Sequence, residues 1–195
     1  MLSQIRPAIV STVLFTLLLG VAYPLVVTGI AGAAFPYQAG GSLIQDKGGK
    51  VVGSALIGQA FAKPEYLHPR PSAAGNGYDA SNSSGSNYGP LNTDMAKRIK
   101  GDADTMRASG IGEVTEDSVT TSASGLDPHI TPTYALLQAD RVAKARGASP
   151  DEVRKLISDH VEGQWLGFIG QPRVNVLQTN LALDAAFAKG HPKAS

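Results

Sequence analysis

An uncharged stretch near the N-terminus constrains this chain more than any other feature of its sequence. No Asp, Glu, Lys or Arg occurs from Pro7 to Gln45, and residues 8–30 are almost all apolar. As an α-helix, residues 8–30 would be about 34 Å long, enough to cross a hydrocarbon core of about 30 Å. Gly20 and Pro24 would weaken a soluble helix, but membrane helices tolerate both. The sequence therefore predicts a transmembrane helix over about residues 8–30, within an N-terminal segment of residues 1–35.

A cleaved signal peptide is the alternative interpretation of the same stretch. Arg6 supplies a positive charge before the apolar run, and Ala31-Gly32-Ala33 matches a signal-peptidase site. The run is longer than the ~7–15 apolar residues of an ordinary signal core, which favours an anchor. Either interpretation exports residues 36–195 if the N-terminus stays inside. The charge bias behind that orientation is small, because Lys47 and Lys50 follow the run.

The rest of the chain is long enough to form a domain with its own core. The net charge is +1, so the chain has no overall basic excess for binding nucleic acid. It has no cysteine, which excludes disulfides, thiolate metal sites and cysteine nucleophiles. The expected fold is a single N-terminal transmembrane helix followed by a small α/β (α+β) soluble domain over residues 36–195.

Local sequence signals predict the elements of that domain. A connector over residues 36–50 precedes a candidate strand at 51–61, and three prolines require residues 64–74 to be extended or to form turns. Capping and periodicity then predict four helices, from Asn92 or Thr93 to about Arg107, from Thr131–Pro132 to Gly147, from Pro150 to Val161 and from Val174 to Phe187.

Residues 75–90, GNGYDASNSSGSNYGP, are the most unusual stretch of the domain. A flexible linker would be mostly Gly and Ser, whereas this stretch also carries Asn and Tyr. Asn-Gly and Ser-Gly pairs build defined turns, and Tyr supplies rigid contact area. We therefore expect an ordered loop that faces a partner, with a flexible linker as the alternative. The candidate contact residues are Asn76, Tyr78, Asn82, Asn87 and Tyr88, with Gly20 as a close-approach point in the span.

The sequence shows no catalytic, metal or nucleotide motif. The Gly-rich stretch has no following GK[ST], so it is not a P-loop. The histidines, none paired at metal-ligand spacing, are His68, His129, His160 and His191. A hydrolase that assembles its site around His68 or His129 through the fold remains an alternative. No catalytic or metal residue is predicted.

Several stretches together resemble the C subunits of Kdp-type potassium-transporting P-type ATPases. They are RPAI and YPLVVTGIA in the first segment, then GSALIGQAF, RPSAAGNGYDASNSSGSNYGPLN, SGLDPHITP, QADRVAKARG and GQPRVNVLQTNLALD. The run over residues 70–92 is the most specific, and the resemblance extends nearly end to end.

The resemblance implies an accessory subunit of an ATP-driven, high-affinity potassium uptake complex in the bacterial inner membrane. Its implied partners are a channel-like potassium subunit, an ATP-hydrolysing subunit and the lipid bilayer, with no nucleic acid. Family members are described as needed for assembly and as catalytic chaperones that raise ATP affinity. The resemblance also implies a cytoplasmic N-terminus and a periplasmic domain, so ATP would act through the partner subunit. A secreted periplasmic binding module, released by signal-peptide cleavage, is the alternative.

Overall fold

The computed structural model describes residues 2–46 and 48–187. The chain divides after Val52 into two compact units. The structure confirms the expected fold class, because one N-terminal apolar helix precedes a region of mixed helix and sheet. Lys47 and His191, both considered above, lie outside the described residues.

The first unit is dominated by one long apolar helix. A 3-10 turn, Leu2–Gln4, leads into α1, Ile5–Leu17, and α2 spans Tyr23–Ala34. The continuous stretch Ile5–Ala34 contains an 18-residue segment with a mean hydropathy of 2.2, and none of that segment is buried, so the length and composition of the stretch suit a membrane span. At 30 residues it is about 45 Å long, longer than the 8–30 prediction.

A π-helical turn, Leu18–Ala22, joins α1 to α2. Pro24 has no N–H to donate to the carbonyl of Gly20, and the N–H of Tyr23 instead reaches the carbonyl of Leu18, five residues back. The helix therefore accommodates the proline with one wider, π-helical turn and continues past Pro24 instead of ending there.

Short elements follow the span. Helix α3 covers Pro36–Ala39, and strands β1, Leu43–Gln45, and β2, Val51–Ser54, form a two-stranded sheet. The predicted strand at 51–61 is therefore too long, since it ends at Ser54. Residues 55–92 contain no regular helix or strand. They include an extended segment, residues 64–74, which is followed by the loop over residues 75–90.

The second unit contains a three-stranded antiparallel sheet in the order β3-β5-β4. Its strands are β3, His129–Ile130, β4, Val161–Glu162, and β5, Arg173–Asn175. Val174 of β5 pairs with Ile130 on one side and with Val161 on the other. Val174 is fully buried, so the central strand of the sheet contributes a side chain to the core.

Six helices pack around this sheet. They are α4, Thr93–Ala108, α5, Glu116–Val119, α6, Pro132–Leu137, α7, Ala139–Arg146, α8, Pro150–Asp159, and α9, Val176–Ala186. Asn92 caps α4, Glu152 accepts the N–H of Ser149 at the start of α8, and Gly147 ends α7 in the left-handed conformation. These capping predictions are confirmed.

Three predicted helix limits are wrong. The helix expected from Thr131 to Gly147 divides at Gln138, whose side chain turns into the core. The third helix ends at Asp159, and Val161 lies in β4 instead of on a helical face. The last helix starts at Val176, since Val174 belongs to β5. In the latter two cases sheet pairing overrides a local helical pattern.

The core is built where α6 to α9 meet the sheet and the extended segment. Its fully buried large apolar side chains are Leu67, Val142, Val153, Ile157, Val174 and Leu183. Leu67 comes from the irregular segment, so that segment is part of the core rather than a covering loop.

Candidate functional site

Two buried side-chain amides hold the extended segment in place. The Oδ1 of Asn180 accepts the N–H of Leu67 at 2.8 Å, and its Nδ2 donates to the carbonyl of Leu67 at 3.0 Å. Gln138 does the same for His68, accepting its N–H at 2.8 Å and donating to its carbonyl at 3.1 Å. Both side chains are buried. They replace the neighbouring strand that an extended backbone would otherwise require.

Two arginines secure the beginning of the same segment. Arg146 donates to the carbonyl of Glu65 at 2.7 Å, forms an ion pair with Asp184 at 2.9 Å and lies 5.1 Å from the ring centre of Tyr66. Arg141 donates to the carbonyl of Pro64 at 2.7 Å. The segment's route is therefore fixed by α7 and α9.

Arg70 connects the segment to residues 120–127. Its guanidinium donates to the carbonyl of Thr120 at 3.4 Å and pairs with Asp127 at 3.2 Å. Burial acts to raise the pKa of Asp127, but hydrogen bonds from His129 and the charge of Arg70 outweigh it and lower that pKa. The carboxylate thus stays charged and keeps Arg70 in place.

Tyr78 is turned into the domain. Its hydroxyl donates to the carbonyl of Arg70, and its N–H donates to the Oγ of Ser72 at 2.9 Å. Burial, reinforced by the charge of Asp127, raises the pKa of the Tyr78 hydroxyl. Its backbone has a positive φ of 58°. Tyr78 therefore shapes the loop from the inside.

The loop over residues 75–90 rests on residues 121–125. Ser83 and the N–H of Ser84 both donate to the carbonyl of Ser124, at 2.9 and 3.0 Å. A Cβ on Gly125 would lie 2.6 Å from the carbonyl oxygen of Ser84, so only glycine permits this approach. These contacts favour an ordered loop over a flexible linker.

The remaining loop candidates point outward. Asn76, Asn82, Asn87 and Tyr88 are exposed, and Asn87 has a positive φ of 53° that asparagine tolerates. Gly20 is also exposed on the span. The structure thus separates Tyr78, which has contacts within the domain, from five candidates available to a partner. Their contact with a partner stays a prediction.

Two of the clefts that adjoin Arg70 differ in their lining. One, of about 330 Å³, is lined by charged and polar groups that include Asp117, His129 and Arg173. The other, of about 480 Å³, is lined by Phe61, Tyr78, Tyr134 and Met106 among others. Burial raises the pKa of Tyr134 to about 12, although the charge of Arg141 acts against this.

Each of the described histidines His68, His129 and His160 contacts a neighbouring polar group. Within residues 2–46 and 48–187, no group of three or more His, Cys, Asp or Glu side chains could hold a metal ion. His68 contacts the carbonyl of Lys63 at 3.1 Å, His129 lies 3.6 Å from Asp127, and His160 contacts the carbonyl of Leu156 at 2.8 Å. Each has a structural partner within its own neighbourhood.

Part of the loop's backbone is bonded within the loop and to Ala74, directly before it. The N–H groups of Gly77 and Asp79 donate to the carbonyl of Ala74, and that of Ser81 donates to the carboxylate of Asp79. These amides build the turns of the loop and do not point at a ligand.

Comparison with known proteins decides the family. The family model described as "KdpC: K+-transporting ATPase, c chain" matches residues 5–185. The chain belongs to the KdpC family. The match runs from the start of α1 into α9, so the apolar helix and the folded unit both carry the KdpC pattern.

Individual KdpC relatives cover the chain almost completely. A protein named "Potassium-transporting ATPase KdpC subunit" from Caulobacter sp. (strain K31) is 65% identical over 188 residues, covering 96% of each chain. Proteins of the same name from Beijerinckia indica and Koribacter versatilis are 57% and 49% identical, covering 98% and 91% of this chain and 98% and 92% of their own lengths.

Sequence reasoning did not find the residues that build this site. Gln138 lies between α6 and α7, and Asn180 lies within α9. Both have apolar neighbours in the sequence, and an amide in such a position is a signal of buried backbone hydrogen bonding. The buried side chains of α9 include Leu177, Asn180 and Leu183.

Proposed function

We propose that this chain is the accessory KdpC-type subunit of an ATP-driven potassium uptake complex. The observation that carries this function is the family match over residues 5–185, which includes both the apolar helix and the folded unit.

The span Ile5–Ala34 anchors the chain in the inner membrane, with the N-terminus in the cytoplasm and the domain in the periplasm. The length of its uncharged part, from Pro7 to Ala34, supports the anchor. A shallow groove along it is lined by Ser11, Thr12, Thr16 and Gly20 among others, and small or hydroxyl side chains permit close helix approach. A helix of the channel-like subunit would occupy this face.

Orientation is tested with a single thiol. Ser158 is exposed at the end of α8, and the chain has no cysteine of its own. In Ser158→Cys, a reagent that passes only the outer membrane should label a full-mass chain in intact cells. Labelling that requires lysis would place the domain inside, and a mass shortened at Ala31-Gly32-Ala33 would support the secreted module instead.

The exposed side of the loop over residues 75–90 contacts the channel-like subunit and promotes assembly. Its support is a fixed shape with outward Asn and Tyr side chains, which bind well when pre-organised. Asn82→Ala with Tyr88→Ala should reduce co-purification of the other subunits. Ser158→Ala, at an exposed position of α8 outside the loop, is the control. Equal recovery of both variants would remove the loop from the interface.

The ATP affinity of the hydrolysing subunit is then affected only indirectly, through the conformation of the complex. The sequence supports this, because no GK[ST] follows the glycines of the loop and the loop is therefore not a P-loop. Equilibrium dialysis of the full chain with ATP should show no binding, while the assembled complex binds ATP. Binding to the isolated chain would contradict the indirect route.

A further inference from the structure

A compact loop between β4 and β5 exposes four large apolar side chains. Trp165, Leu166, Phe168 and Ile169 are 67%, 67%, 73% and 45% exposed. Soluble surfaces rarely collect so many large apolar groups within a few residues, and such clusters mark contact sites. We name residues 163–172 the apolar hairpin.

The backbone of the apolar hairpin is bonded within itself. The N–H groups of Trp165 and Ile169 each donate to the other's carbonyl at 2.9 Å, and that of Phe168 donates to the carbonyl of Trp165 at 3.3 Å. The Nε2 of Gln164 donates to the carbonyl of Gly170 at 2.8 Å. This arrangement lowers the cost of moving the tip into a medium without water.

The shape of the turn also favours an outward role for its side chains. Leu166 and Gly167 have φ values of 53° and 81°. Glycine adopts this conformation readily, but leucine does so rarely. A leucine at this position, exposed and without a place in the core, indicates that its side chain has contacts outside the domain.

The charges around the apolar hairpin are neutralised. Residues 163–172 contain no charged residue, and the flanking Glu162 and Arg173 pair with each other at 2.8 Å. Protein interfaces exchange hydrogen bonds across their contact area, whereas this tip presents mainly apolar side chains over a bonded backbone. Trp and Phe are also typical of the membrane–water boundary.

We propose that the apolar hairpin docks into the headgroup–acyl boundary of the lipid bilayer in which the chain is anchored. The inference rests on the anchoring proposed above. Residues 35–52 separate the span from Gly53, and fully extended they reach at most about 60 Å. The domain is therefore held at a high effective concentration next to the bilayer, where even a small apolar tip binds. Docking gives the domain a second attachment besides the span.

Trp165 reports this docking directly, because it is the only tryptophan of the chain. The full chain is placed in phosphatidylcholine–phosphatidylglycerol nanodiscs, with and without bromine atoms on the acyl chains. We expect bromolipids to quench Trp165 emission, the emission to be blue-shifted, and aqueous acrylamide to quench it weakly. Strong acrylamide quenching without bromolipid quenching would overturn the proposal.

Variants that keep Trp165 identify the tip as the cause. Leu166→Asn with Phe168→Ser should abolish the blue shift and the bromolipid quenching, and Asn tolerates the positive φ. Leu91→Ser is the matched control, since Leu91, directly after the loop over residues 75–90, is 97% exposed. Quenching that survives the double variant would contradict insertion through the tip.

Two further outcomes distinguish this inference from the proposed function. A full chain that does not co-elute with nanodiscs would refute the anchor and the docking together. A chain that co-elutes but is not quenched by bromolipid would refute the docking alone. 5-Hydroxytryptophan at position 165, excited selectively in the assembled complex, then shows whether another subunit shields the tip. Such shielding without bromolipid quenching would assign the hairpin to a protein surface and overturn bilayer docking.

Discussion

The side-chain amide of Asn180 binds both polar backbone groups of Leu67, although the two residues lie 113 positions apart in the chain. The amide therefore acts as a strand partner for a segment that has no strand beside it. Gln138 repeats this arrangement at His68. The loop over residues 75–90 begins where this clamped segment ends.

Replacing Asn180 should destabilise the whole domain. Asn180→Leu leaves the N–H and carbonyl of Leu67 buried without partners, and we expect a loss of about 2–4 kcal/mol in the free energy of unfolding. Urea unfolding of the full chain in detergent measures it. Gln178→Leu on the exposed side of α9 is the control, and equal losses in the two variants would show that the amide pairing contributes little.

Arg146 should be far more sensitive to substitution than Arg154. The side chain of Arg146 is 6% exposed and bonds Glu65, Leu183 and Asp184, so Arg146→Lys should cost about 2 kcal/mol of stability. Arg154 pairs only with exposed carboxylates, and Arg154→Lys should cost less than about 0.5 kcal/mol. Thermal unfolding of both variants compares them, and similar shifts would refute the role of burial.

Two glycines with the same φ of 67° separate backbone strain from steric conflict. A Cβ at Gly147 would meet nothing within 4 Å, so Gly147→Ala should cost about 1 kcal/mol from the left-handed backbone alone. A Cβ at Gly125 would lie 2.6 Å from the carbonyl of Ser84, so Gly125→Ala should cost more and should also expose the loop to proteolysis. Matching protease profiles for the two variants would mean that the loop does not depend on this contact.

His68 should make the domain less stable below pH 6.5. Burial and the charge of Arg141 lower the pKa of His68 from its ordinary 6.5. The unfolded chain therefore binds the proton first, so this contribution is complete above pH 6.5 and is lost as the pH falls towards the folded-state pKa. His68→Gln should flatten the dependence of unfolding free energy on pH between neutral and mildly acidic conditions. An unchanged slope would assign the acid sensitivity to other groups.

The sequence predicted those parts of the structure that local signals determine. The apolar run, the cap at Asn92, the capping box at Ser149 and the glycine at 147 all act within a few residues of their position. They were confirmed because each signal satisfies backbone groups of its own helix.

The parts that the sequence did not predict depend on distant partners. Strands β4 and β5 are two and three residues long, too short for a periodic pattern, and they exist because Val174 pairs with both Val161 and Ile130. The inward direction of Tyr78 depends on the carbonyl of Arg70, which no local rule identifies. The sequence did not predict the apolar hairpin, because a short apolar run is equally compatible with a buried position in the core.

The clamp formed by Asn180 also sets an order of events during synthesis. Leu67 leaves the ribosome long before α9, and its backbone acquires its partners only when nearly the whole chain has been made. The extended segment can therefore reach its final position only in an almost complete polypeptide. Chains truncated before α9 would leave the N–H and carbonyl of Leu67 without these partners, so the core around Leu67 closes only when α9 is present.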